Sequence, residues 1–139
     1  MQLTKHTDLS LRVMIYLALM DGETDTIKNI ATSFNASHNH LIKVVHQLAK
    51  LGYLSSFQGR GGGIKLAHSA EELMVGDIIR KIEPTLNTID CEGEKCPIRS
   101  VCRLKKILNE ALIAFMNVMD DYSIADIASN RSELIKLIH

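Results

Sequence analysis

The chain has 139 residues, with 16 basic and 16 acidic side chains and a formal net charge of zero. Its length fits one domain, its 46% hydrophobic content supports a core, and it has no run of about 18 apolar residues to cross a membrane. The opening MQLTKHTDLSLR has no basic stretch followed by an apolar one, so no secretory signal is read and a cytoplasmic protein is expected.

Charge is unevenly spread. Residues 1–70 hold seven Lys/Arg and four Asp/Glu, residues 71–139 nine and twelve, and five of the six histidines lie in the first half. This mild bias permits nucleic-acid binding by the N-terminal half without establishing it.

In chain order, Leu9, Val13, Leu17 and Met20 recur at helical spacing and predict a helix from Thr4 to Met20. Asp8 and Arg12, four apart, read either as an exposed ion pair or as functional groups. Asp21-Gly22 ends this helix, and Thr26 caps a second, Ile27 to Phe34. After the turn Asn35-Ala36, Ser37 caps a third, His38 to Leu51, with Leu41, Val44, Val45 and Leu48 inward. His46 is expected to pack near that apolar face. Gly52 suits the helix end. Tyr53–Phe57 and Ile64–Leu66 read as two strands around the turn QGRGGG, a hairpin. The glycine-dense turn lacks both GxxxxGK[ST] and a following helix, so it is not read as a phosphate loop.

Two short helices joined by a tight turn and followed by a hairpin make a winged helix-turn-helix. In such readers the second helix leads into the major groove with its N-terminal residues. Here those are Ser37, His38, Asn39 and His40, with Lys43 behind them; Asn can bond adenine in a bidentate manner. Arg60 at the hairpin tip suits a minor groove or a phosphate.

Met74 to Ile82 predicts a short helix ended by Pro84. The longest periodic stretch, Arg103 to Met119, carries Leu104, Leu108, Ala111, Phe115 and Val118, widened by Ile107, Leu112 and Met119. So apolar a face predicts pairing with a second copy in a symmetric dimer. Ser123 caps a short helix to Ala128, and Ser132 to Ile138 is a last, weak one. The fold class is therefore mainly α. It divides into a winged helix-turn-helix unit with supporting helix (1–83), a cysteine loop (84–102) and a dimerisation helix with C-terminal helices (103–139).

The loop DCEGEKCPIRSVC holds all three cysteines, Cys91, Cys96 and Cys102. In a cytosolic chain, three thiols point to metal or redox chemistry rather than a structural disulfide. Zinc would need a distant fourth ligand such as His68 or His6, and no CxxC pair is present. An iron–sulfur cluster prefers thiolates but accepts another ligand in one place. A thiol redox switch needs no fourth ligand. No nucleophile–base pair or cofactor fingerprint points to an enzyme.

Together, MQLTKHTDLSLR, HNHLIKVVHQLAKLGYL, GRGGGIKL, VGDIIRKIEP and DCEGEKCPIRSVCRLKK resemble the RRF-two-type winged-helix regulators, from Met1 to about Ala128. Within that family the likeness is to its nitric-oxide-sensing repressors. The resemblance implies a homodimer with crossed long helices on a pseudo-palindromic operator in double-stranded DNA. It implies an iron–sulfur cluster of the 4Fe-4S or 2Fe-2S type on each cysteine loop, with nitric oxide as the signal. It also implies that Asp8, from the first helix of the other subunit, joins Cys91, Cys96 and Cys102 as a ligand. Sister regulators of cluster assembly take a histidine soon after the third cysteine; here Arg103, Leu104, Lys105 and Lys106 follow Cys102. Cysteine-metabolism regulators of this class lack the cysteine trio. The alternative function is a cluster-free, thiol-redox or zinc-dependent DNA-binding regulator.

Overall fold

The computed structural model describes residues 1–93 and 95–138. The elements run α1 (Lys5–Leu19), α2 (Ile27–Ser33), α3 (His38–Lys50), β1 (Leu54–Phe57), β2 (Gly63–Leu66), α4 (Val75–Ile82), α5 (Arg103–Asp120), α6 (Ile124–Ile127) and α7 (Arg131–Ile138). Every predicted helix and strand is present, with ends shifted by a residue or so. Helix ends fray, and that margin is expected.

The central element is α1. It packs against α3, α4, α6 and β2, which buries Leu9, Val13, Met14, Tyr16, Leu17 and Leu19. Its first turn is fastened by a buried carboxylate. The Thr4 backbone N–H (3.0 Å), the Thr4 hydroxyl (3.2 Å) and the Thr7 hydroxyl (2.6 Å) all donate to Glu83 Oε2. Glu83 is the residue that ends α4. A negative charge there also faces the positive end of the α1 dipole.

The helix-turn-helix is built by capping. The Thr26 hydroxyl accepts the Asn29 N–H at 3.2 Å, and the Ser37 hydroxyl accepts the His40 N–H at 3.3 Å. Between the helices Asn35 takes a left-handed backbone, φ 47°, a conformation asparagine tolerates better than most residues. On α3, Leu41, Val44, Val45 and Leu48 are buried as predicted, but His46 is exposed. The expectation that His46 packs inward is corrected. Each residue turns about 100° along a helix, which places position 46 across from the buried stripe.

The strands form a two-stranded antiparallel sheet, with Leu54 opposite Leu66 and Phe57 opposite Gly63. Asp25 ties this wing to the start of α2. Its backbone pairs with Ile64 in both directions, at 3.1 and 2.8 Å. Its carboxylate accepts the Tyr16 hydroxyl (2.6 Å), the Thr26 N–H (2.7 Å) and the Asn29 side chain (2.6 Å). The backbones approach so closely that a Cβ on Gly63 would lie 2.4 Å from the Asp25 carbonyl oxygen. At the wing tip the Thr24 hydroxyl donates to the Gly61 carbonyl at 2.8 Å.

On α5, only Met116 is buried. Leu108, Leu112, Phe115 and Met119 are partly covered, while Leu104, Ile107, Ala111, Ala114 and Val118 are exposed. The single broad stripe read from the sequence is therefore two stripes, one turned to α4 and one outward. A bidentate pair from Arg80 to Asp120 fastens α4 to the end of α5. Ser123 and Asp126 form a reciprocal capping box on α6. The Arg131 guanidinium donates to the Leu19 carbonyl and to Asp21, tying α7 back to α1.

Two predictions follow from the Asp25 contacts. Gly63→Ala should cost about 1–3 kcal/mol in a urea titration, because the new Cβ meets backbone. Gly59→Ala, which meets only open space, should cost about 1 kcal/mol for its left-handed backbone alone; equal losses would refute the close approach. Burial, and then the hydrogen bond to Asp25, push Tyr16 up from 10.0 to about 12. Its stabilising contribution is present below the unfolded value and lost as pH rises through the folded one. Tyrosinate absorbance should therefore show one ionisation near pH 12 that is missing in Tyr16→Phe.

Candidate functional site

Two sets of groups carry the candidate chemistry. The first is the outward side of α3 with the wing tip. Ser37, His38, Asn39 and Lys43 are exposed, as is Arg60 on the wing. The Ser37 hydroxyl already serves as the helix cap. His40 departs from its neighbours. It is half-buried, and its ring lies 5.7 Å from that of His6 on α1, tilted by 34°. His6 Nε2 and Gln47 Oε1, on α3, are within 2.5 Å. Thus His40 and Gln47 form the flank of α3 that rests on α1, and Asn39, Lys43 and His46 form its open face. Sequence reasoning named His6 only as a distant zinc ligand and did not single out Gln47, because their proximity exists only once the helices pack.

The second set is the cysteine segment. All three cysteines are free thiols; Cys91 and Cys102 are half-buried and Cys96 is exposed. Asp90 folds the start of this loop by accepting the backbone N–H groups of Glu92 (3.0 Å) and Gly93 (2.8 Å). These bonds, Gly93 first, hold the Asp90 carboxyl below the usual carboxylate range. Glu92 then pairs with Arg99 at 2.7 Å and Lys105 at 3.5 Å. It thereby spans the loop from beside Cys91 to beyond Cys102. Being exposed, these pairs stabilise by at most about 1 kcal/mol each. Cys102 is the N-cap residue of α5, with no side-chain capping bond. An anionic sulfur ligand there would face the positive end of the helix dipole.

Asp8 is on α1, one turn beyond the Glu83 clasp. It pairs with Arg12 at 2.8 Å and Lys5 at 3.1 Å, and its side chain keeps 35% of its exposure. Burial pulls its carboxyl upward, but the hydrogen bonds and charges of Arg12 and then Lys5 outweigh that and hold it below the ordinary value. Gln2, Leu3, Lys5, Asp8, Leu11 and Arg12 line an open groove of about 470 Å³. Within one chain, Asp8 and the cysteines are not brought together; among the described residues no three His, Cys, Asp or Glu side chains converge as a metal site. No described helix is long and apolar enough to cross a membrane.

Residues 3–130 match the family model Rrf2, described as an iron-dependent transcriptional regulator. The HTH-type transcriptional regulator NsrR of Bacillus subtilis (strain 168) is 44% identical over 142 residues, covering 99% of this chain and 97% of that protein. NsrR of Geobacillus kaustophilus (strain HTA426) is 42% identical at the same coverage. Among solved structures, that of CymR (YrzC), the global cysteine regulator of B. subtilis, matches with TM-score 0.76 and 25% identity over 94% of this chain and 98% of that one. The T. potens IscR structure matches with TM-score 0.75 and 23% identity over 94% of this chain and 88% of that one, a likeness of fold.

The different exposure of the thiols sets their order of reaction. In metal-free protein, brief iodoacetamide treatment followed by peptide mass spectrometry should find Cys96 alkylated ahead of Cys91 and Cys102. Equal labelling of all three would contradict the loop geometry.

Proposed function

Since the chain belongs to the Rrf2 family of transcriptional regulators, DNA-binding proteins rather than enzymes, we propose that it is a cytoplasmic homodimeric repressor that senses nitric oxide through an iron–sulfur cluster. The observation that carries this reading is the placement of three free thiols on one stapled, irregular loop. The root of that loop is clasped to the helix that bears Asp8. The relatives named NsrR support the same reading.

The donor set fits such a group. Three sulfurs lie within a segment whose described residues form neither helix nor strand, and one carboxylate lies in an open groove. Zinc fits less well. Of its two candidate histidines, His6 is engaged with Gln47 and His40 on α3. Cys91, Cys96 and Cys102 would hold the cluster, of 4Fe-4S or 2Fe-2S type, with Asp8 of the second subunit as the remaining ligand. When bound, the cluster supplies iron, for which nitric oxide is a strong ligand.

The chain's own residues do the rest. The outward stripe of α5, Leu104, Ile107, Ala111, Ala114 and Val118, steps by 3, 4, 3 and 4, which is the pattern of a helix seam. Burying it against its twin makes residues 103–139 the dimerisation unit and 84–102 the sensing loop. Residues 1–83 are the reader, entering DNA with Ser37, His38, Asn39, His40 and Lys43 and touching the backbone or minor groove with Arg60. Asp8, engaged with the other subunit's loop, would couple one subunit's α1 to its partner. Because α1 carries α3 on its flank, that engagement sets the separation of the two recognition helices, about 34 Å for half-sites one turn apart. On release, Arg12 and Lys5 are at hand to take up the carboxylate. To relieve repression a hundredfold, the ligated state must favour the DNA-competent arrangement by about 2.7 kcal/mol.

Protein purified without oxygen should carry iron and sulfide, show a visible absorption band, and lose that band and its operator together on adding nitric oxide. A colourless, iron-free protein that binds operator equally well would leave the thiol-switch or zinc regulator instead. Asp8→Ala should retain less iron with an unchanged fold. Asn39→Ala should relax base preference by about 1–3 kcal/mol, whereas Lys43→Ala or Arg60→Ala should weaken all sequences and reduce the salt slope by about 1.

A further inference from the structure

The open face of α3 contains one residue that its neighbours do not explain. Ile42 is 43% exposed, a large apolar side chain in the middle of a polar surface. It lies outside the core cluster and outside the hydrophobics packed against it. Helical spacing aligns it with His38 and His46, four residues to either side, and sets Asn39 and Lys43 in the adjoining row. The stripe that holds the helix to the protein, Leu41, Val44, Val45 and Leu48, is centred about a third of a turn away. Ile42 therefore stands outside the stripe that holds α3 to the protein, and the outward seam of α5 is on another element.

We propose that Ile42 is a specificity-determining residue that packs against the C5-methyl group of a thymine in the major groove. The inference rests on α3 being the recognition helix. The occupant follows from chemistry. A DNA face lined by hydrogen-bond donors and a cation meets polar base edges everywhere but at one group, the thymine methyl, which is the apolar feature of the major groove. An isoleucine flanked by Asn39 and Lys43 is placed to be desolvated by that methyl while its neighbours bond base edges and phosphate. A 5-methylcytosine would present the same group, so the duplexes for the test carry unmodified cytosine.

The experiment uses oxygen-free protein and a duplex selected from a random-sequence library by binding to it. Each thymine is replaced in turn by deoxyuridine, which differs by the methyl alone. One thymine in each half-site should lose about fourfold in affinity on replacement, the equivalent of one buried methyl group at about 0.8 kcal/mol. With Ile42→Ala the same replacement should have no effect, and with Ile42→Val it should keep most of it. Alanine is a favourable helix residue and position 42 is exposed, so the variant retains its fold. A selected site without thymine in either half, a flat uracil scan, or an unchanged scan in Ile42→Ala would overturn the assignment. Asn39→Ala separates the two failures. If it relaxes base preference while the uracil scan is flat, Ile42 alone is misassigned. If neither matters, the recognition helix itself is.

Discussion

The carboxylate of Glu83, buried against the first turn of α1, is the contact on which the two halves of this chain depend. A charged group out of water is costly unless hydrogen-bonded. Here three donors from Thr4 and Thr7 converge on a single oxygen, and the helix dipole adds to them. Removing the donors while keeping the charge would leave a penalty of several kcal/mol. The clasp therefore fixes where α4 ends relative to where α1 begins. Pro84 follows at once, so the cysteine loop leaves the domain from a point that cannot drift from α1. On the proposed reading, the loop of each cluster site is thereby referred to α1 of its own subunit, and Asp8 to α1 of the other.

The same helix sets the position of the DNA reader. His6, two residues beyond Thr4, meets Gln47 and His40 on the flank of α3, and Tyr16, three turns on, holds Asp25 at the base of the wing. On the proposed reading, small rotations of α1 would pass to α3 and to the hairpin, since each is joined to α1 by both packing and hydrogen bonds. A pair of such readers on one duplex converts a rotation into a mismatch at both half-sites.

How much of this was legible in the sequence depended on the range of the interaction. The caps Thr26, Ser37 and Ser123 act within a turn, and they marked their helices correctly. Gly52 and the glycines of the wing act locally too. The cysteine spacing and its position before a long helix were equally plain. The resemblance covered nearly the stretch that the family model matches. What failed was geometry that needs the packed whole. His46 has apolar neighbours in sequence but a solvent-facing angle on the helix. The face of α5 read as one stripe because Leu108 and Leu112 lie next to Ile107 and Ala111, and only the packed structure shows that the first pair is partly covered while the second is left exposed. Glu83 carried no signal, as its partners lie 76 and 79 positions away. Ile42 was not among the inward positions read on α3, and its exposure shows only in the packed structure.

The distribution of burial explains why such a chain suits control by a ligand. The reader shares one continuous core with the C-terminal helices, which Met116 and Ile124 enter from α5 and α6, so residues 1–83 and the helices after the loop hold one another in place. The loop is the opposite. Between Pro84 and Val101, among the described residues, only Leu86 and Cys91 are even partly buried, and the links across it are exposed ion pairs to Glu92. Its internal bonds are worth little against the conformational entropy of about 1 kcal/mol or more for each residue held in place. Bonds to the three sulfurs would dominate its energy, so its arrangement follows whatever binds them. On the proposed reading, a state change at the thiols acts on the loop, the Asp8 groove and the α5 seam, and reaches DNA through the placement of α1 while the reader stays folded.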